Sequence, residues 1–186
     1  VDSAALHLRT DTPVSTLGPV DGIIGFDTIR ELDLTLDFGG HRAIVRRPAS
    51  AQPEVWRPRN VFWFGIPIIA AVADNGRRIL MALDTGAEES YGTPSFIEKA
   101  KIRARKGERR RVHGFGGSQT ERGYVVPSTS LTLGHTRLRL ERFFLYNAQY
   151  PTIFDLDGTL AADFARGTTL RLDVTNGRVE IGEQQG

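Results

Sequence analysis

The chain contains no cysteine. A disulfide framework, a thiolate nucleophile and a cysteine-ligated metal are therefore excluded. The four histidines, His7, His41, His113 and His135, are scattered without metal-ligand spacing, and no cofactor is called for. No apolar run approaches the length of a membrane span, and no basic-then-apolar leader opens the sequence. The chain starts at Val1 without an initiator Met, so the expectation is a processed or truncated product that has lost any leader. The compartment stays open, with a periplasmic or secreted location as the expectation. Net charge is also scarce, at +2 over 186 residues, so nothing demands a nucleic-acid partner. The basic residues that do gather, between Lys101 and Arg111, lack aromatic interleaving and read as a solvated face or exposed loop. No nucleophile-elbow motif starts a Ser/His/Asp site.

What the sequence does contain is strand patterning. The length allows one domain, or one and a half small ones. Ala5 to Thr10 alternates as a half-buried strand does, and Leu34 to Phe38, a Gly39-Gly40 turn and Arg42 to Val45 make a hairpin. Asp27 is placed to cap a short helix running through Leu32. Residues 49–60, rich in proline, read as a linker. Phe62 to Ala73 is strongly apolar, Asn75-Gly76 is a strong hairpin signal, and Ile79 to Leu83 is the return strand. Thr93-Pro94 opens a short helix over Ser95 to Lys101. Glu121 to Val126, Leu131 to Leu133, Arg137 to Leu140 and Arg142 to Tyr146 read as strands, and Thr159 to Phe164 as a helix. Leu170 to Val174, an Asn176-Gly177 turn and Arg178 to Ile181 close the chain as a hairpin. The fold class is mainly β with short helices.

The return strand ends abruptly in Asp84-Thr85-Gly86, with small Ala87 next. A strand feeding a tight turn leaves the Asp84 carboxylate at a strand end, where Thr85 and nearby backbone N–H groups can orient it. On the tripeptide alone, an ordinary strand-to-turn junction is the favoured account of these residues.

The chain also repeats itself. Leu34-x-Leu36-Asp37 matches Leu170-x-Leu172-Asp173, and the same register sets Arg42 on Arg178 and Val45 on Ile181. Upstream, Ile23-Ile24-Gly25-Phe26-Asp27 is laid on Ile153-Phe154-Asp155-Leu156-Asp157, with six extra residues before the second hairpin. A duplicated unit follows from this order. Residues 1–48 are then the closing half of a first unit, and residues 61–186 a complete second one.

With these features in sequence order, residues 61–186 resemble a retropepsin-type aspartic peptidase domain of the bacterial two-repeat kind. The apolar strand enters Asp84-Thr85-Gly86-Ala87, and His113-Gly114-Phe115-Gly116-Gly117 stands where that family's flap lies. Leu131 to Gly134, an apolar pair before a helix, and a final hairpin follow. Gly22 to Asp27 keeps the family's apolar-apolar-Gly pattern, whereas Asp155 departs from it in the second copy. The resemblance implies an acid-protease β-barrel in which Asp84, Thr85 and Gly86 form the catalytic turn. It assigns Ala87, Glu88 and Glu89 to substrate backbone or a supporting Arg, and Gly114, Phe115, Gly116 and Gly117 to a flap. A solvated acidic turn and an ordinary glycine-rich loop are the plainer accounts of those last two groups.

The implied activity is that of an aspartic endopeptidase cleaving extended polypeptides, with apolar preference around the scissile bond. Two carboxylates near contact cannot both ionise, a sharing of one proton that aspartic proteases as a class exemplify. One Asp84 supplies half of such a pair, since Asp11-Thr12 and Asp27-Thr28 lack the following Gly. The expected partner is a second copy in a homodimer, or an upstream half-unit. The competing expectation is a catalytically inactive retropepsin-fold module for peptide binding or dimerisation.

Overall fold

The computed structural model describes residues 24–47, 59–87, 89–114, 117–147, 155–165 and 167–182. The strand expected at Ala5 to Thr10 and nearly all of the linker lie outside these, as do Glu88, Phe115 and Gly116. Helix α1 (Phe26–Ile29) precedes β1 (Asp33–Asp37) and β2 (Arg42–Arg46). Then come β3 (Val61–Trp63), β4 (Pro67–Ala73), β5 (Arg78–Asp84), β6 (Tyr91–Gly92) and helix α2 (Pro94–Ala100). Strands β7 (Arg105–Gly114), β8 (Gly117–Leu133), β9 (Thr136–Leu145) and β10 (Gly158–Ala161) follow. A 3-10 turn (Ala162–Ala165) leads to β11 (Thr169–Asp173) and β12 (Arg178–Ile181).

Among the described residues the strands form two sheets, ordered β12-β11-β1-β2 and β3-β4-β5-β10-β6-β9-β8-β7. The larger sheet curls until β8 meets β4 at Val72↔Thr132 and Ala73↔Leu131, without formally closing a barrel. The curl wraps a core of Ile69, Ile79, Met81, Phe96, Leu131, Leu133, Leu145 and Leu160, continuous with Leu34, Leu170 and Leu172 of the smaller sheet. Each such fully buried side chain contributes about 2 kcal/mol of hydrophobic stabilisation. The fold is mainly β, with short helices.

Several local expectations change. The apolar run from Phe62 breaks at Phe64-Gly65-Ile66, where Gly65 takes φ +77, so β3 and β4 are separate antiparallel strands. Asp27 lies inside α1, whose N-cap is Gly25. Arg137 to Tyr146 is one strand up to Leu145, kinked at Arg142, not two. From Arg105 on, the basic segment is strand β7 with a largely solvated face, because β8 supplies its backbone partners from Arg105↔Val125 to Gly114↔Gly117, while Lys101 to Ala104 precede the strand. The segment Thr159 to Ala161 is strand, not helix, because β5 and β6 pair with it from both sides. Tertiary pairing outweighs local propensity there.

That last correction resets the internal repeat. The strand and turn at Gly158 to Ala165 correspond to Gly22 to Ile29 in one unbroken spacing, shared with the hairpins. Asp21-Gly22 falls on Asp157-Gly158, Ile24 on Leu160, Gly25 on Ala161, Asp27 on Asp163 and Leu34 on Leu170. No insertion is needed, and Asp155 is not the counterpart of Gly25; Ala161 is. The hairpin turns match in detail: the Gly40 N–H donates to Asp37 Oδ1 at 2.7 Å, and the Asn176 N–H to Asp173 Oδ1 at 3.1 Å.

The smaller sheet carries this correspondence into space. β1 and β11 run antiparallel with Leu34↔Leu172, Thr35↔Arg171 and Leu36↔Leu170. A half-turn about the midpoint between Thr35 and Arg171 therefore exchanges β1 with β11 and β2 with β12. Across this seam Arg171 grips Asp33 with two hydrogen bonds, Nε to Oδ1 at 2.9 Å and Nη2 to Oδ2 at 2.8 Å. These bonds hold the Asp33 carboxyl below its ordinary value of 3.8. The unfolded chain binds the proton more readily, so the stabilisation is complete above 3.8 and fades as pH falls through the lower native value. Asp33→Asn is expected to lower the unfolding free energy by about 1 kcal/mol at pH 7, Arg171 being partly solvated. Urea melts at pH 7 and in strong acid check this, the gap between variant and parent closing in acid.

Candidate active site

Asp84 is the last residue of β5, exposed at the strand end, and Thr85 and Gly86 are exposed beside it. The chain reverses tightly here. The Gly86 N–H donates to Asp84 Oδ1 at 3.0 Å, and the Ala87 N–H to the Asp84 carbonyl at 3.2 Å. The carboxylate is thus oriented by backbone, not by the Thr85 hydroxyl. A Cβ on Gly86 would lie 3.3 Å from that carboxylate oxygen, tighter than ordinary contact, so Gly suits the position. Ala87 is half-buried.

Behind the turn, β10 runs parallel to β5 in the register Leu160↔Leu83 and Ala161↔Asp84. Two carboxylates fix this strand at its ends. At its start, fully buried Asp157 accepts the Leu80 N–H at 2.8 Å, the Ser95 hydroxyl, and Lys99 Nζ at 2.9 Å. Its own N–H returns to the Leu80 carbonyl at 2.7 Å. One side chain thereby ties β5, α2 and β10 together. Past its end, Asp163 accepts the Ser90 N–H at 2.9 Å and the Ser90 hydroxyl at 2.5 Å, while Ser90 Oγ accepts the Ala161 N–H at 2.9 Å. The segment leaving the Asp84 turn is thus pinned to the strand beside it.

The glycine-rich segment forms the far end of the β7–β8 hairpin, with Gly114 opposite Gly117. The hairpin bulges between Lys106 and Arg109, and beyond the bulge Arg110 reaches the turn. Its Nη1 donates to Glu89 Oε2 at 2.6 Å, and its guanidinium lies 5.4 Å from the Phe144 ring centroid. Asp84, Thr85, Gly86 and Ala87 are therefore one turn, with Glu89 joined to the hairpin that carries Gly114 and Gly117. Among the described residues no group of three His, Cys, Asp or Glu is arranged to hold a metal, and no helix is long and apolar enough to cross a membrane.

The family model described as aspartyl protease matches residues 70–164, from β4 through the Asp84 turn and the hairpin to the 3-10 turn. This chain belongs to the aspartyl protease family. No curated protein matches it. Among solved structures it is similar to the EIAV protease complexed with the inhibitor HBY-793, at 17% identity, covering 53% of this chain and 83% of that one with a TM-score of 0.40.

Within this aspartyl protease chain, the residues that sequence reasoning missed are the ones that hold the turn: Ser90, Asp157, Asp163, Lys99 and Arg110. For two of them a signal existed, since Asp157 and Asp163 repeat Asp21 and Asp27 once the gap is removed. Removing the Asp157 side chain strands the partly buried Leu80 N–H and frees α2 from β5. Asp157→Ala is expected to cost about 3 kcal/mol of unfolding free energy in urea titration.

Proposed function

We propose that the chain forms one half of an aspartic endopeptidase site, with Asp84 as one of two carboxylates that share a proton. The observation that carries this reading is an exposed Asp at a strand end, aligned by the Gly86 N–H and buttressed from behind by β10. The ionised member takes a proton from a bound water as that water attacks the scissile carbonyl. The protonated member donates to the carbonyl oxygen and stabilises its developing charge. The peptide lies extended between the Asp84 turn and the Gly114/Gly117 end of the hairpin, with alternate side chains entering pockets. Closure of that hairpin excludes water. Glu88, Phe115 and Gly116, which the resemblance also assigns to the substrate, lie outside the described residues.

The second carboxylate, in this reading, comes from an upstream half-unit of the same polypeptide, brought opposite Asp84 by the local two-fold between β1 and β11. Exposure supports it. Ile24 is 62% exposed where its counterpart Leu160 is 0%, and Val45 is 56% exposed where Ile181 is 8%. The first repeat thus shows apolar side chains that the second buries under β3 to β9. A homodimer that joined β11 to its own copy would need the edge that β1 already holds. The Thr85 hydroxyl is exposed and makes no hydrogen bond among the described residues, which suits it to a turn facing it across that axis.

A catalytically silent binding module is the second reading, favoured by the single Asp-Thr-Gly. The test is cleavage of a mixed peptide library by the chain alone, by the chain paired with its upstream half-unit, and by the pair carrying Asp84→Asn. The pair should cut, with a loss of about 10²- to 10⁴-fold on Asp84→Asn and little activity from the chain alone. Absence of cleavage by the pair would leave the silent module as the better account.

A further inference from the structure

One cavity opens beside the Asp84 turn, with a volume of about 250 Å³, lined by Glu89, Ser90, Arg110, Glu141, Arg142 and Asp163. Its walls are the segment leaving the turn, the inner face of the β7–β8 hairpin, the kink in β9 and the 3-10 turn. All three acids are already engaged within the protein. Glu89 pairs with Arg110 at 2.6 Å, Glu141 with Arg139, and Asp163 with the Ser90 N–H and hydroxyl. Arg110 is spent on Glu89 and the Phe144 ring. Arg142 is the exception: among the described residues it has neither ion pair nor hydrogen bond.

The backbone sets Arg142 apart as well. It adopts φ +49, a left-handed conformation uncommon for a side chain as large as Arg. The β8–β9 ladder runs in one register on both sides, Val126↔Phe143 and Ser128↔Glu141, yet skips the position between them, where Arg142 stands opposite Pro127. Pro127 has no N–H to give, so the ladder loosens there and the kink costs less than it would mid-sheet. The result is a lone guanidinium on the wall of a charged cavity.

We infer that this cavity is a subsite for an acidic side chain of the peptide, with Arg142 as its specificity-determining residue. The inference rests on the peptidase reading above and adds the class of side chain selected. A substrate Glu or Asp carboxylate gains a charge-assisted hydrogen bond from Arg142 without displacing an existing pair. The lining holds three carboxylates, but Glu89 and Glu141 are ion-paired and both Asp163 oxygens are taken by Ser90, so the side chain a substrate Lys meets unpaired is Arg142. Apolar preference flanking the scissile bond is untouched, because none of Asp84, Thr85, Gly86 and Ala87 lines the cavity.

The experiment is cleavage of peptide series that carry Glu, Gln or Lys in turn at each position, using the complete two-carboxylate enzyme, its Arg142→Gln form and its Arg142→Glu form. At one position kcat/KM should favour Glu over Gln by about tenfold, the scale of one charge-assisted bond. Arg142→Gln should bring that ratio close to one, and Arg142→Glu should turn the preference toward Lys. Efficient cleavage with no position favouring Glu, or a Glu preference indifferent to both substitutions, overturns the inference and leaves the peptidase reading standing. Failure to cleave any peptide with any form overturns both.

Discussion

The antiparallel seam between β1 and β11 is the contact on which the rest of the architecture depends. It sets two hairpins of the same sequence pattern side by side, Leu34 against Leu172 and Leu36 against Leu170, so each apolar repeat meets the other across a local two-fold. Leu34, Leu170 and Leu172 enter the same core as the curled sheet, which makes the seam an internal part of the protein and not a loose edge. The Asp33–Arg171 fork adds direction, because a guanidinium matches a carboxylate in one orientation and register only. A slip of one residue would turn every leucine outward and break the fork together.

The Asp84 turn is held by a second constraint of the same type, the parallel register of β5 and β10. Buried Asp157 fixes where that register starts and the Ser90–Asp163 pair fixes where it ends. Asp84 then emerges at a defined height above Ala161. In the proposed dyad a carboxylate sharing a proton with another would tolerate little positional error, since its coupling falls with distance. That buried polar groups rather than apolar contacts hold the turn fits this need, because hydrogen bonds specify geometry where apolar packing mainly supplies energy.

Much of this was legible in the sequence. Asn75-Gly76 announces its hairpin because Gly76 takes φ +78, the left-handed position that ends a three-residue turn, its N–H donating to the Ala73 carbonyl while the Ala73 N–H donates to the Arg77 carbonyl. The alternation of Leu34, Leu36, Leu170 and Leu172 likewise reads directly as strands with one buried face. Asp84-Thr85-Gly86 is visible as a turn, and becomes specific only through the ordered features around it. β10 was not legible. Thr159-Leu160-Ala161 is short, buried on both sides, and built of residues that suit a helix equally well; its partners are far away in sequence. Ile153-Phe154 imitates the apolar pair of Ile23-Ile24 and so suggests a gapped repeat, while the informative match is Asp-Gly. The basic run gave no sign of pairing, since charge marks a surface without saying which backbone lies beneath it. Contacts such as Ser90 with Asp163 join residues that only the finished fold makes neighbours.

The account turns on which strand faces β11, and the absence of native cysteine makes that directly measurable by oxidation. Thr35 and Arg171 are opposite partners in the seam, within the span that a disulfide bridges. The double substitution Thr35→Cys with Arg171→Cys should close an intramolecular bond on mild oxidation, giving a faster-running monomer on a non-reducing gel. Arg171→Cys alone should stay monomeric. A covalent dimer formed in high yield by Arg171→Cys alone would place residue 171 opposite its own copy on a two-fold axis. That result would contradict the account and hand the second carboxylate to a second chain.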